Sequence, residues 1–196
     1  MNILTVNLLF STLVFWIAAR LYLLPRLHEL RPRSVLLPIL LLHAFRHLGL
    51  MFLAPGATYA GIPPQFAYPA AWGDIAVGVT APVAMWAAWF RESEIRRRGS
   101  RWQRVWIAWN VFGLADHIIA VTVGTLCFPG VTNVFAGPPD TAMFAQLPML
   151  LFPLYMVPFA DTLHLLMIDL VRRPQEAVSG ARDRVKRDAV AVGGRA

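Results

Sequence analysis

Two histidines and an arginine stand within five positions of "LLHAFRHLGL", residues 41–50, in an otherwise apolar run. Three other apolar runs also carry ionisable groups. Asp74 lies in "AAWGDIAVG", Asp116 and His117 in "GLADHIIA", and Asp161 and His164 in "FADTLHLL". Imidazoles and carboxylates together are ligands for divalent metals such as Zn, Fe or Mn. They also take up and release protons near neutral pH. His43 and His47 have the i, i+4 spacing that lets two imidazoles on one helical face meet one ion. His117 and His164, with Asp116 and Asp161, would complete that shell or orient it from outside. Arg46 shares the face of His43 and His47. It would pair with a carboxylate, Asp116 being the natural partner, or hold an anionic group. Asn110, Gly113, His117 and Gly124 fall along one stripe, so Asn110 is a further polar contact at the site.

Charge narrows the chemistry. Asp74, Asp116 and Asp161 set three carboxylates against the single guanidinium of Arg46, which does not deprotonate in proteins. A low-dielectric interior cannot hold that negative excess uncompensated. A divalent cation would remove it, and so would protons.

The elements that must position these groups are membrane helices. The 196 residues are 57% hydrophobic and only 15% charged, where a soluble domain carries about 25% charged residues. The mean hydropathy is +0.54. Five apolar segments, roughly 3–24, 34–54, 69–90, 104–127 and 147–171, each reach the length of about 20 residues that crosses a bilayer. The first has no basic leader region and no clear small-residue cleavage site, so it reads as a retained helix. The predicted fold is an all-α integral membrane protein. Residues 1–171 form a single five-helix bundle, followed by a basic tail over 172–196 that is expected to be mobile.

Of the 18 Lys and Arg residues, all but Arg46 lie at or near alternate ends of these segments, in 20–33, 91–104 and 172–195. The intervening loops 55–68 and 128–146 have none. This positive-inside pattern puts the N-terminus outside and the C-terminus in the cytoplasm of a cell membrane, the inner membrane in a bacterium. It accounts for the net charge of +7 without nucleic acid. The expected partners are the bilayer, anionic headgroups at the cytoplasmic face, and further copies of the chain or a larger membrane complex. On this topology His43, Arg46, His47, Asp116, His117, Asp161 and His164 all fall within about 8 Å of the midplane at the helical rise of about 1.5 Å per residue. Asp74, a further ligand or charge-pairing residue, falls one to two turns nearer the outer side, where it would mark the access side. Asn7, Ser11 and Ala18 form a small or polar stripe that would turn the first helix inward. Pro153 and Pro158 should disturb the last helix just before Asp161.

Four functions fit these residues. The leading one is a divalent metal site, which would allow a membrane-embedded metalloenzyme. The second is a proton-coupled transporter or channel subunit using the same His/Asp relay. The third is a b-type haem or quinone subunit with two axial histidines. The fourth is a structural accessory subunit whose ion pairs only lock the bundle. Other classes are excluded. There is no GxxxxGK[ST] phosphate loop and no GxSxG elbow, and no lysine lies in a span to form a Schiff base. Cys127 is the single cysteine, which rules out an intramolecular disulfide. The seven tryptophans read as interfacial belts, with Trp72 and Trp109 able to reach a cavity.

Overall fold

The computed structural model describes residues 3–27, 31–54, 61–130, 134–135 and 137–172. The tail beyond Arg172 and parts of the loops lie outside the described residues. Every regular element among the described residues is helical. Five helices are long and apolar enough to cross a membrane: α1 (Ile3–Arg26), α2 (Pro32–Leu53), α3 (Pro64–Phe90), α4 (Arg101–Leu126) and α5 (Phe152–Arg172).

Local chemistry sets the helix ends. Pro64 occupies the first turn of α3, where a missing N–H costs nothing. The helix therefore starts at Pro64 rather than near 69 as predicted. Ser100 caps α4, its Oγ accepting from Gln103 N at 2.9 Å. Gln103 Nε2 then reaches the Val171 carbonyl at 2.8 Å and ties α4 to the end of α5.

The helices pack in the spatial order α2, α3, α4, α5, α1. Two apolar cores stack along the bundle. The one at the arginine-rich end holds Leu36, Leu40, Ala88, Trp106, Leu166 and Met167. The one at the other end holds Phe66, Ala70, Cys127, Phe144 and Met149. The ionisable residues form a layer between them. Trp106 is buried in the first core, so the interfacial reading of the tryptophans does not extend to it. Trp72 is exposed rather than in the interior.

α1 differs from its predicted face. Asn7 and Ala18 are exposed, while Leu8 and Ala19 are buried. Phe15 sets its ring against Tyr155 at 5.3 Å and Phe159 at 5.9 Å. α1 is apolar almost all round, so aromatic packing on α5, not the small or polar stripe, chooses its face.

α2 carries the change with most effect on the site. It is α-helical over Pro32–Ala44 and then tightens to a 3-10 helix over Phe45–Leu53. Glycines bring α3 close at this point. A methyl at Gly78 would overlap the backbone nitrogen of His47, and one at Gly49 would come within 2.5 Å of Asp74 Cβ. In α5 the predicted disturbance takes the form of a π turn over Phe152–Met156, which contains Pro153 and precedes Pro158. Val157 N–H bonds the Phe152 carbonyl five residues back. The Met149 carbonyl accepts from Phe152 N at 3.1 Å, so it keeps a partner.

Candidate functional site

Arg46 is the hub of the polar layer. Its Nε donates to Asp74 Oδ1 at 2.6 Å, and one Nη donates to Asp116 Oδ2. The other Nη lies 3.2 Å from His164 Nε2. A guanidinium has no acceptor, so His164 Nε2 must accept and the ring's proton must sit on Nδ1. That nitrogen faces Asn110 Oδ1 at 3.0 Å. The Asn110 amide donates onward to the Trp106 carbonyl at 2.9 Å. One directed chain of hydrogen bonds thus crosses from α2 through α5 to α4, and it fixes a neutral His164.

A second pair lies beside the first. His117 Nδ1 is 2.6 Å from Asp161 Oδ1. The carboxylate accepts a hydrogen bond from Nδ1–H and leaves Nε2 as the ring's ligating atom. Asp74, Asp116 and His117 each bring one ligand atom within 4.8 Å of the others. Two carboxylates and an imidazole held from behind by a third carboxylate suit a hard-to-borderline divalent cation. The donor set therefore fits a metal, although Arg46 already occupies one oxygen of each of the two carboxylates.

Close helix contacts create the room for these groups. A methyl at Gly73 would collide with the Asp116 carboxylate, and one at Gly113 would collide with the His164 ring. His43 stacks on His164 with centroids 4.0 Å apart, and Trp109 caps both rings edge-on. The Trp109 indole N–H is held by Thr80 Oγ1 at 2.8 Å. His43 is 1% exposed, and its Nε2 has no hydrogen-bond partner. The stacked pair leaves no space for a macrocycle between its rings, so His43 and His164 do not present themselves as two axial haem ligands.

The expected residues are brought together unevenly. His43, Arg46, Asn110, Asp116, His117, Asp161 and His164 all join the layer. Arg46 pairs with Asp116 as expected, and with Asp74 as well. Asp74 is thus a charge-pairing member of the cluster, standing level with Gly49, one turn beyond Arg46, whose long side chain reaches it. Close packing of α3 on α2 at Gly49 and Gly78 makes that reach possible. His47 is the correction. It is exposed, and its Nδ1 bonds its own helix at the Ala44 carbonyl, 2.8 Å away. At three residues per 3-10 turn, Arg46 eclipses His43 while His47 is carried about 120° further round. The i, i+4 histidine pair thus diverges.

A cavity of about 560 Å³ opens from this layer toward the Phe144 end of the bundle. His43, Arg46, Asp74, Asp116 and His117 line its floor, and apolar residues of all five helices line its walls. The sequence indicated an access side near Asp74 but not which residues line the cavity, because its walls are ordinary apolar helix residues.

No curated protein and no solved structure matches the chain. A family profile described as "Domain of unknown function (DUF8737)" matches residues 3–172, which takes in all five long helices and every residue of the polar layer. The chain belongs to that family.

Proposed function

We propose that this chain is a five-span membrane protein that binds a divalent cation in its buried polar layer. Asp74, Asp116 and His117 would hold the ion, and Asp161 would orient the His117 ring. The observation that carries the reading is the convergence of these three ligand atoms within 4.8 Å, with Asp161 hydrogen-bonded to His117 Nδ1. Charge supports it. Three carboxylates, one guanidinium and a neutral His164 leave the layer negative, whatever the state of His117. A bound divalent ion would supply Lewis acidity at the cavity floor. Arg46 keeps the two carboxylates together against their mutual repulsion.

Membrane insertion with the N-terminus outside is part of the proposal. It is supported by the five apolar helices and by the confinement of every cation except Arg46 to alternate helix ends. In that orientation the cavity extends toward the outer side, and the tail meets anionic headgroups of the cytoplasmic leaflet. Reporter fusions at the two termini test the topology. A C-terminal reporter active only in the periplasm would overturn it.

The test of the site is metal content per chain, by inductively coupled plasma mass spectrometry on detergent-purified protein. The expected result is about one divalent ion per chain, lost in Asp74→Asn and in His117→Ala. No metal in the parent after growth and dialysis with Zn, Fe and Mn would reject it. The proton-relay reading would then take its place. Its specific support is the His117–Asp161 pair, an imidazole and a carboxylate joined by a hydrogen bond at 2.6 Å.

A further inference from the structure

The cavity above the polar layer has the build of a ligand site rather than a packing defect. Its volume of about 560 Å³ falls in the range of about 300–1,000 Å³ typical of small-molecule sites. Its far end is an aromatic cage. Phe66 and Phe144 meet edge-on at 5.1 Å, and Phe52 lies 5.6 Å from Phe66 and 6.0 Å from Phe152. Its floor is charged. The two ends therefore ask for different chemistry, an apolar chain and a polar head.

The side of the cavity shows how such a molecule would reach it. α1 packs on α5, and α2 packs on α3, with no extended contact between α1 and the 3-10 part of α2. Leu42, Phe45, Leu48 and Met51 line the cavity on that side, yet each remains about half exposed. The opening is thus lateral, along the apolar flank of the bundle.

The floor selects the head. Arg46 spends three of its five N–H groups on Asp74, Asp116 and His164. It is outnumbered by the two carboxylates it bridges. His117 does not reverse the sign, because Asp161 balances it when it is protonated. A carboxylate or phosphate head would face like charge in a poorly solvated site, which is costly. A hydroxyl or ammonium head finds carboxylate lone pairs to donate to. His43 also lines this floor, and its buried Nε2 has no hydrogen-bond partner. Leaving such an atom unpaired is costly.

We propose that the cavity binds a single-chain amphiphile whose head donates hydrogen bonds and carries no negative charge, a long-chain alcohol or amine. Its head would lie among Arg46, Asp74, Asp116 and His43, and its tail in the phenylalanine cage. The lateral route rests on the membrane reading above. The head assignment is for the metal-free site, because an ion on Asp74 and Asp116 would cancel the negative floor, so chelation separates the two proposals.

The experiment uses the full chain in nanodiscs with excess EDTA. It compares photo-crosslinking by diazirine-bearing hexadecylamine, hexadecanol and palmitic acid, with labelled positions mapped by mass spectrometry. The amine and the alcohol should label the cage, Phe52, Phe144 and Met149. The acid should label it at least about tenfold less, as a like-charge penalty of about 1.4 kcal/mol implies. Ala120→Trp, which fills the cavity from α4, should abolish labelling. Ile118→Trp, on the exposed face of the same helix, should leave it intact. Asp116→Asn should narrow the gap between amine and acid, because it neutralises the floor. Equal labelling by the acid in the parent overturns the head-group assignment. Cage labelling that persists in Ala120→Trp overturns the site. Should that variant not fold, the parent's selectivity and its shift in Asp116→Asn decide the question.

Discussion

Arg46 Nε sits 2.6 Å from Asp74 Oδ1, across the contact where Gly49 lets α3 close on α2. The same guanidinium holds Asp116 from α4 and His164 from α5. One side chain thus ties four helices together. It also keeps two carboxylates side by side in an interior where either alone would be costly.

Arg46→Leu should therefore be severely destabilising. Its side chain is 9% exposed, and that of Asp116 is 7% exposed. Removing one partner of such a buried network costs about 3–5 kcal/mol. The measurement is thermal melting in detergent. Arg46→Lys should recover only part of the loss, because an ammonium cannot fork to two carboxylates and an imidazole. A melting temperature for Arg46→Leu equal to that of the parent would contradict the hub role.

His47→Ala should change little. An exposed side chain bonded only to its own helix contributes within about 0.5 kcal/mol. Metal content and melting temperature should both match the parent. His117→Ala should lose the ion. If His47→Ala loses metal as His117→Ala does, the 3-10 geometry of α2 is not the geometry of the bound protein.

Asp161→Asn should weaken metal binding without abolishing it. The amide still reaches His117 but no longer offers a carboxylate to its Nδ1 proton, and such changes reduce affinity by about 10- to 100-fold. A titration with competing chelators reads this directly. Asp74→Asn, at a ligand position, should have the larger effect. The reverse order would exchange the roles of Asp74 and Asp161.

Gly113→Ala should be worse than Gly124→Ala. The first methyl runs into the His164 ring, which is pinned between His43, Arg46 and Asn110. The second meets only the edge of Phe66, at 3.3 Å. Overpacking of the first kind costs about 1–3 kcal/mol. Comparable melting curves for the two variants would mean that the His164 ring is free to move.

Much of the architecture was legible in the sequence because it follows from local chemistry. Runs of apolar residues long enough to span a bilayer, the confinement of arginines to alternate ends, and prolines beside Asp161 all act within one helix. The same is true of most of the polar layer. Asp116, His117, Asp161 and His164 lie in helices whose registers place them level, and Arg46 had Asp116 as its expected partner. These statements need only the helical rise and a count of residues.

The tertiary structure decided what one helix cannot specify. α1 presents Leu8 and Phe15 rather than Asn7 because the aromatic surface of α5 receives them, and an all-round apolar helix has no preferred face of its own. Asp74 joins the cluster because Gly49 and Gly78 bring two backbones together, a distance set by the pair. His47 leaves it because α2 winds more tightly under that contact, which turns the second histidine of the motif away from the first. The cavity arises where α1 and α2, neighbours in the chain, do not close on one another. Sequence determined which groups had to be buried at one level. Packing between helices determined which of them touch.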